Sequence, residues 1–208
     1  MKSLRKQRAF VRREEDILDV ALELFSGPGW ESVSMDQIAK MAEVGKGTLY
    51  NHFDSKDELL FKLMLRFYEG LLFQLKKETF NTNEILICFE TIFNLAFRYH
   101  LAHRKYRYVV EYCNRIDFKE RAEEVWRASF LELDKAFSDW GDPLLQSAME
   151  QGLISKRPLN HINIGMYACF NGAVGMLWAG SDWCLYGDEE EIIESVTAFM
   201  MAGLVGRM

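Results

Sequence analysis

The sequence has few prolines and no pattern typical of β-strands. Only three of its 208 residues are proline, and sustained alternation of apolar and polar residues is hard to find. Apolar residues recur instead at the three-to-four spacing of helices, over segments longer than ordinary strands. We therefore expect an all-α protein.

Closely spaced cysteine pairs are also missing. Cys88, Cys113, Cys169 and Cys184 lie far apart in apolar segments, and none belongs to a Cys-x-x-Cys pair. This spacing argues against a disulfide framework and against a zinc site. We expect free thiols in a reducing compartment, no metal and no cofactor.

The most apolar run of the chain is not expected to span a membrane. The most apolar segment, 164–179, is too short to cross a bilayer and contains Asn171 and three glycines. The N-terminus is basic, but no apolar signal-peptide core follows it. These features predict a cytoplasmic protein without a leader.

Charge is unevenly distributed. The net charge is −6, yet residues 1–13 contain six basic residues and no acid. Residues 1–56 contain nine basic and nine acidic residues, so the whole excess of acid lies after position 56. An acidic body with a basic end suits a protein that contacts nucleic acid at one end only.

The most informative segment is 34–53, SMDQIAKMAEVGKGTLYNHF. Ser34 suits a helix N-cap, because its hydroxyl can accept from an unpaired first-turn amide. Leu49 and Phe53 are four residues apart and so share one face of a second helix. The segment therefore predicts a helix, a tight turn and a second helix, with Ile38, Ala39 and Ala42 facing inward from the first.

Several polar side chains of this segment lie off its apolar face. They can donate or accept hydrogen bonds at phosphates and base edges. This is the pattern of a helix-turn-helix that reads the DNA major groove, and the alternative is an ordinary tight helical hairpin. The available side chains are those of Lys46, Thr48, Tyr50, Asn51 and His52.

Periodicity predicts about nine helices in total. Residues 1–11 form a mobile basic arm in this interpretation, either a solvated tail or a minor-groove arm. A helix is expected to break at Gly141-Asp142-Pro143. Outside 34–53, the expected helices cover about 12–26, 56–77, 82–103, 106–113, 118–140, 161–179 and 188–204, with a last turn or two over 144–151.

The chain resembles the TetR family of bacterial one-component transcriptional regulators. The resemblance covers residues 12–60, whereas the remainder matches only in helix count and order. The resemblance implies a helix-turn-helix DNA-binding domain over 1–54 and a ligand-binding and dimerisation domain over 55–208. The residues that carry it are Phe25, Gly29, Trp30, Ser34, Ile38, Ala39, Val44, Lys46 to Phe53, Lys56, Leu59 and Leu60.

The resemblance also implies a homodimer that binds an inverted repeat in double-stranded DNA. Each recognition helix would enter a major groove, and a small-molecule effector would change the spacing of the two heads. Lys46, Gly47, Thr48 and Asn51 match positions that approach bases. Ser34, Tyr50, His52 and Lys56 match positions that approach phosphates.

Two positions depart from the family pattern. Glu43 occupies the turn position that is usually glycine, where a left-handed backbone would cost about 1 kcal/mol. Gly45 replaces the serine-like cap of the second helix and is a weaker cap. We expect both to adjust stability and affinity without abolishing function.

The predicted helix over 161–179 carries a stripe of small residues. They are three or four apart, so they share one face and allow close approach of another helix. The resemblance implies a four-helix dimer interface, and the alternative is packing within one chain. The expected dimerisation residues are Gly165, Ala168, Gly172, Gly175, Ala179, Val196, Phe199 and Met200.

A cavity for a largely apolar effector is predicted from aromatic residues and from polar residues within apolar helices. Glu90 and Asn94 are four apart, so a purely structural hydrogen bond between them is an equal alternative. The candidate effector-binding residues are Phe67, Glu90, Phe93, Asn94, Tyr108, Tyr112, Trp126, Phe170 and Asn171.

No motif of an enzyme is found. The sequence contains no phosphate-binding glycine loop, nucleophile elbow or metalloprotease helix. His100 and His103 are expected to be exposed or to cap a helix rather than to hold a metal. The main hypothesis is a repressor released by effector, and the alternative is a small-molecule-binding or protein-interaction module without specific DNA recognition.

Overall fold

The computed structural model describes residues 2–79, 84–180 and 187–206, and it is all-α, as expected. Ten α-helices lie within these residues, where nine were expected. Two short 3-10 helices, Trp30–Ser32 and Arg104–Tyr106, lie between them. The α-helices are α1 Lys2–Phe25, α2 Met35–Met41, α3 Lys46–Tyr50, α4 Lys56–Thr79, α5 Ile85–Ala102, α6 Arg107–Asn114, α7 Ile116–Arg121, α8 Glu124–Glu150, α9 Leu159–Ala179 and α10 Glu189–Val205.

The first helix corrects the expectation of a mobile arm over 1–11. α1 begins at Lys2 and continues without interruption to Phe25. The segment before residue 12 contains Lys, Leu, Arg, Gln and Ala, which are good helix formers, and it contains no glycine or proline. The helix therefore ends only before Gly27-Pro28-Gly29, with Gly29 left-handed at φ 82°.

The single helix expected over 118–140 is two helices. α7 ends at Arg121, its C-cap Ala122 has an extended backbone, and α8 then runs through Gly141-Asp142-Pro143 without a break. Pro143 is exposed, so the carbonyl that loses its helical partner can bond to water. The side chain of Asn163 also donates to Asp142 Oδ1 at 3.0 Å, across to α9.

The chain divides into two compact units. Unit 1 comprises 1–68 and 104–131, and unit 2 comprises 69–103 and 132–208. These units follow contact density, so the functional division at 54/55 stays a prediction.

Unit 1 has an apolar core beneath the helix-turn-helix and is tied together by long-range polar contacts. Ile17, Phe25, Leu49 and Phe53 are fully buried. Arg66 donates to Asp19 at 2.7 Å and to the hydroxyl of Tyr106 at 3.0 Å. The other core residues include Ala21, Ile38, Leu59, Leu60, Leu63, Val109 and Phe118.

Unit 2 packs α5 against α9 and α10. Phe97 is fully buried and stacks on Phe170, with ring centroids 4.6 Å apart. The indole of Trp178 donates to the backbone carbonyl of His100 at 3.1 Å. Aromatic side chains therefore form much of the contact between these helices.

The expectation that His100 is exposed or caps a helix is wrong. Its side chain is buried, and Nδ1–H donates to the carbonyl of Ala96 at 2.8 Å. Burial lowers the pKa of His100 from 6.5 to about 4. His103 instead occupies the C-cap of α5, as expected, and bonds to the carbonyl of Tyr99 at 2.8 Å.

By length and composition alone, α5 could cross a membrane. It has 18 residues and a mean hydropathy of 1.3. A core helix of a soluble protein passes the same test. Its buried residues Cys88, Phe89, Phe93 and Phe97 instead contribute to the core of unit 2.

Candidate nucleic-acid interface

The helix-turn-helix begins with a capping box at Ser34, as the sequence predicted. The Ser34 hydroxyl accepts from the Gln37 amide at 3.3 Å, and Gln37 Oε1 accepts from the Ser34 amide at 2.7 Å. Two otherwise unpaired backbone donors are therefore satisfied at the start of α2. Because Ser34 is also exposed, this cap presents its side chain at the surface.

The turn after α2 is closed by a left-handed residue. The Val44 amide donates to the carbonyl of Ala39 at 3.0 Å, and the Glu43 amide donates to that of Lys40 at 3.3 Å. This paired pattern requires a left-handed residue, usually glycine, directly before Val44. Glu43 has φ 53°, which confirms the left-handed backbone expected from the sequence.

α3 is short and is anchored from one side. Leu49 and the following Phe53 are fully buried, as predicted from their spacing. Gly45 is the N-cap and, having no side chain, leaves the first amides of α3 without a side-chain acceptor. The residues exposed on the other side are Lys46, Gly47, Thr48, Tyr50 and Asn51.

Lys46 has a counter-charge in the same motif. Its Nζ lies 2.7 Å from Asp36 Oδ2, and both side chains are exposed. The hydrogen bond that Lys46 donates to Asp36 raises the pKa of Lys46. An exposed pair of this kind is weak in water, so a phosphate can replace the carboxylate at small cost.

Lys56 corrects the prediction of a phosphate contact. Its Nζ donates to the carbonyls of Trp30 at 3.2 Å and Glu31 at 2.7 Å, and it lies over the ring of Phe25. Burial lowers the pKa of Lys56. The ammonium therefore caps the 3-10 helix Trp30–Ser32 instead of projecting from the surface.

His52 is the second correction. Its side chain is only 4% exposed, and its ring stacks on Phe10 with centroids 3.9 Å apart. Its Nδ1 lies 3.8 Å from Glu14 Oε2, beyond hydrogen-bond distance. His52 therefore packs against the N-terminal half of α1. A mobile arm in this segment would not have provided such a contact.

Phe10 was missed as a contact residue of the motif because it lies within the expected arm. Its spacing gave a usable signal, since Phe10, Glu14, Ile17 and Ala21 recur three or four apart. This periodicity extends the inward-facing side of α1 by two turns toward the N-terminus, although Phe10 itself remains 46% exposed.

Residues 17–63 match the family model described as "Bacterial regulatory proteins, tetR family". This match covers α2, the left-handed turn, α3 and the first turns of α4.

The N-terminal part of the chain is therefore similar to the DNA-binding regulators of the TetR family. Its relatives include the transcriptional regulator AcrR of Shigella flexneri, which is 50% identical over 54 residues, or 26% of this chain and 25% of AcrR. The transcriptional repressor KstR of Rhodococcus jostii is 44% identical over 59 residues, or 28% of each chain. The chain spans between 20% and 36% of the length of the curated relatives it matches.

Solved TetR-family structures extend the likeness to nearly the whole chain. The regulator FadR from Bacillus subtilis, in complex with stearoyl-CoA, has a TM-score of 0.71 at 17% identity. The superposition covers 91% of this chain and 98% of FadR. At this identity the likeness establishes the fold.

Four of the candidate effector residues lie in unit 1. Phe67 and Trp126 are buried, and Trp126 stacks on Phe61 at 5.6 Å. The hydroxyl of Tyr112 donates to Asp57 at 2.8 Å, and that of Tyr108 accepts from Arg107 at 2.8 Å. All four side chains thus have partners within the unit.

The other five candidates lie in unit 2, and the three polar ones have no partner on another helix among the described residues. Glu90 is exposed rather than buried, and Asn94 Nδ2 donates to the Glu90 backbone carbonyl at 3.0 Å. Asn171 likewise donates to the carbonyl of Tyr167, on its own helix, at 2.8 Å. Phe93 is buried, and Phe170 stacks on Phe97 as described above.

The small residues of α9 lie on an open face. Ala168, Gly172, Gly175 and Ala179 are exposed, and Gly165 is half-buried. A Cβ atom added to any of the three glycines would meet no atom within 4 Å among the described residues. Packing of the stripe within its own chain, the alternative left open by the sequence, is therefore disfavoured.

The three dimerisation residues expected on α10 differ in exposure. Phe199 is 68% exposed and Val196 is half-buried, whereas Met200 is 1% exposed. The expectation for Met200 is corrected, because its side chain faces the interior of unit 2. Exposed apolar residues that the sequence prediction missed are Ile164 and Tyr167 on α9.

Proposed function

We propose that this chain is a DNA-binding transcriptional regulator whose α3 enters the major groove of an operator. The exposed face of α3 carries this proposal. Thr48 and Asn51 can hydrogen-bond base edges, and Gly47 permits close backbone approach. Lys46 can exchange Asp36 for a phosphate.

The open face of α9 supports a homodimer bound to an inverted repeat. Its small residues allow a second α9 to approach closely, and exposed Tyr167 and Phe199 add apolar area. A two-fold dimer presents two copies of α3, and a palindromic operator has the same symmetry.

A leucine at Gly172 tests the dimer. Gly172→Leu adds bulk to the open face, so we expect mainly monomer by sedimentation velocity and at least tenfold weaker operator binding. Gly141→Leu is the control, because Gly141 is also a helical glycine with no atom within 4 Å of an added Cβ. A stable Gly172→Leu dimer with full affinity would place the interface elsewhere.

For regulation, we propose a repressor in the cytoplasm that is released by a small, largely apolar effector. FadR was solved with stearoyl-CoA, and KstR is named a repressor. The aromatic packing around Phe93, Phe97 and Phe170 in unit 2 suits an apolar ligand. An effector that prefers the conformation with lower DNA affinity would release the operator by linkage.

Selection of bound sequences from a random DNA pool tests the function directly. We expect enrichment of a palindrome, with affinity that falls steeply as salt rises. Native mass spectrometry of the purified protein would identify a retained effector, and its addition should weaken binding to the selected operator.

The second candidate is a ligand-binding or protein-interaction module without specific DNA recognition. Glu43 favours it, since its exposed carboxylate lies in the turn directly before α3 and repels phosphate. The absence of any enriched sequence at moderate salt would support this module and reject the regulator.

A further inference from the structure

The charges of α1 are separated along the helix. Its first half carries Arg5, Lys6, Arg8, Arg12 and Arg13, all of which are exposed. None of these five cations forms an ion pair with any residue that the structure describes. The first half of α1 therefore carries at least five positive charges without a counter-charge in the described protein.

The acidic second half of α1 is used differently. Glu15 and Asp19 pair with Arg66, at 3.2 Å and 2.7 Å. Glu23 pairs with Lys105 at 2.5 Å. These three carboxylates form ion pairs within unit 1. The unpaired state of the cations is therefore not shared by the charged residues of the second half.

The position of the cations is unfavourable in the isolated chain. They lie at the helix N-terminus, where the helix dipole favours negative charge. Arg5, Arg8 and Arg12 are also spaced three and four apart, so like charges are neighbours on one face. An external polyanion would relieve both repulsions.

The basic half is fixed relative to the recognition helix. Phe10 stacks on His52, with an interplanar angle of 27°, and His52 directly follows Asn51 at the C-cap of α3. Lys6 and Arg13 lie four before and three after Phe10, so they flank this contact on the same side of α1.

From this arrangement we propose that residues 5–13 of α1 form a rigid basic helix that contacts the DNA phosphate backbone beside the base pairs read by α3. The proposal rests on the DNA-binding function above and extends its contact surface. An α-helix is about 10–12 Å across, and the minor groove is about 6 Å wide. The helix therefore contacts phosphates from outside and does not enter the groove.

In this arrangement, Phe10 and His52 are positioning residues. They hold the helix against the end of α3 without touching DNA themselves. Loss of their contact should thus weaken binding while every positive charge remains in the chain.

An anionic membrane surface is the competing partner, because Leu4, Phe10 and Val11 are exposed on the same helix. DNA is favoured for two reasons: three partly exposed apolar side chains bury little area in a bilayer, and the helix is packed on the residue after α3. Binding to vesicles is therefore included as an outcome of the test.

The test uses the full-length protein and the operator selected from random DNA. The variant is Arg5→Gln/Arg8→Gln/Arg12→Gln, and the control Lys76→Gln/Lys77→Gln/Lys119→Gln removes the same charge from exposed sites elsewhere. Kd is measured from 0.05 to 0.3 M salt. We expect the slope of log K against log salt to fall by about 0.9 for each lost phosphate contact, with at least tenfold weaker binding at 0.1 M, and the control to be unchanged.

A second pair of variants keeps all charges and tests rigidity and position. Ala9→Pro interrupts α1 between the cations, and Phe10→Ala removes the stack on His52. We expect each to weaken operator binding at least threefold, with the cooperative melting of the remaining protein retained. Wild-type affinity in both variants would overturn the rigid helix.

The outcomes separate this inference from the function on which it rests. If wild type selects no operator, the DNA-binding function itself fails. If wild type binds its operator and the Arg5/Arg8/Arg12 variant has the same slope and affinity, the function stands and the phosphate-contacting helix is wrong. Charge-dependent binding to phosphatidylserine vesicles, with unchanged operator binding, would assign the helix to a membrane instead.

Discussion

The two units differ in how their polar side chains contribute to packing. In unit 1, ionic side chains repeatedly join residues far apart in sequence: Arg66 bonds to Asp19, and Arg121 bonds to Asp57 at 2.7 Å. Unit 2 also has a long-range ion pair at its surface, Arg98–Glu190 between α5 and α10. The amides of Asn94 and Asn171, however, bond to carbonyls of their own helices, and aromatic stacking adds contacts between α5 and α9.

The two units therefore differ in how easily they accommodate a charged side chain. Unit 1 can carry charge at its surface because its carboxylates and cations are paired or exposed. Unit 2 holds His100 among Phe170 and Trp178, with ring centroids 5.2 Å and 5.3 Å away. Lowering the pH should therefore destabilise unit 2 through protonation of buried His100. Removing a single charge from unit 1 should lower the free energy of unfolding less.

The largest expected effect is the response of His100 to acid. Burial lowers its pKa to about 4 in the folded protein, so between pH 6.5 and 4 the unfolded chain binds more protons. The contribution of neutral His100 to the free energy of unfolding is fully present above pH 6.5. It is lost as pH falls through this window, by about 3 kcal/mol at pH 4.

Urea unfolding of wild type and His100→Gln at pH 7, 6, 5 and 4 would measure this response. The carboxylates common to both proteins cancel in the difference. We expect the stability advantage of wild type to shrink by about 3 kcal/mol from pH 7 to pH 4. A difference that does not change with pH would show that His100 is protonated equally easily in both states.

The next effect concerns the long-range polar contacts of Asp57 in unit 1. Asp57 accepts from Tyr112 and Arg121, each more than 50 residues away, whereas Asp117 pairs locally with Arg115 and Arg121. We expect Asp57→Asn to cost about 1 kcal/mol and the control Asp117→Asn to cost clearly less, because exposed local pairs contribute little. Equal losses in thermal unfolding would mean that the long-range contacts add no stability.

Local sequence signals predicted the motif well. The cap at Ser34 and the buried pair Leu49 and Phe53 each depend on residues within a few positions, so spacing and propensity were sufficient. The left-handed backbone at Glu43 was suggested by the resemblance, because glutamate itself does not favour that conformation. The helix through Pro143 could not be inferred in this way, because a helix can tolerate the lost backbone bond when the proline is exposed.

The errors at the site arise from distant contacts. Lys56 donates to carbonyls 25 and 26 residues earlier, and His52 packs on Phe10, 42 residues earlier. Both side chains lie off the motif's apolar face, which is all that periodicity reports. The prediction for Met200 was wrong for a similar reason. Its side chain is buried in unit 2, whereas that of the neighbouring Phe199 is exposed.

A smaller effect is expected in the turn of the motif. Glu43→Gly should relieve the left-handed strain and raise stability by about 0.5–1 kcal/mol after the entropic cost of glycine. Glu43→Gln is the control, because it keeps the strain and removes the charge, so it should change stability little and strengthen DNA binding. An unchanged or lower melting temperature for Glu43→Gly would contradict the strain.

The smallest effect concerns the N-cap of α3. Gly45 has an extended backbone, and an added Cβ would lie 3.8 Å from Thr48 Oγ1, an ordinary contact distance. Gly45→Ser should therefore fit without strain, and its hydroxyl can accept from the Thr48 amide, for a gain of a few tenths of a kcal/mol. Gly45→Ala adds the same Cβ without an acceptor, so it should be about 1 kcal/mol less stable than the serine variant. If thermal unfolding finds the two variants equally stable, the first turn of α3 is satisfied by water, and its amides would be available to a phosphate as well.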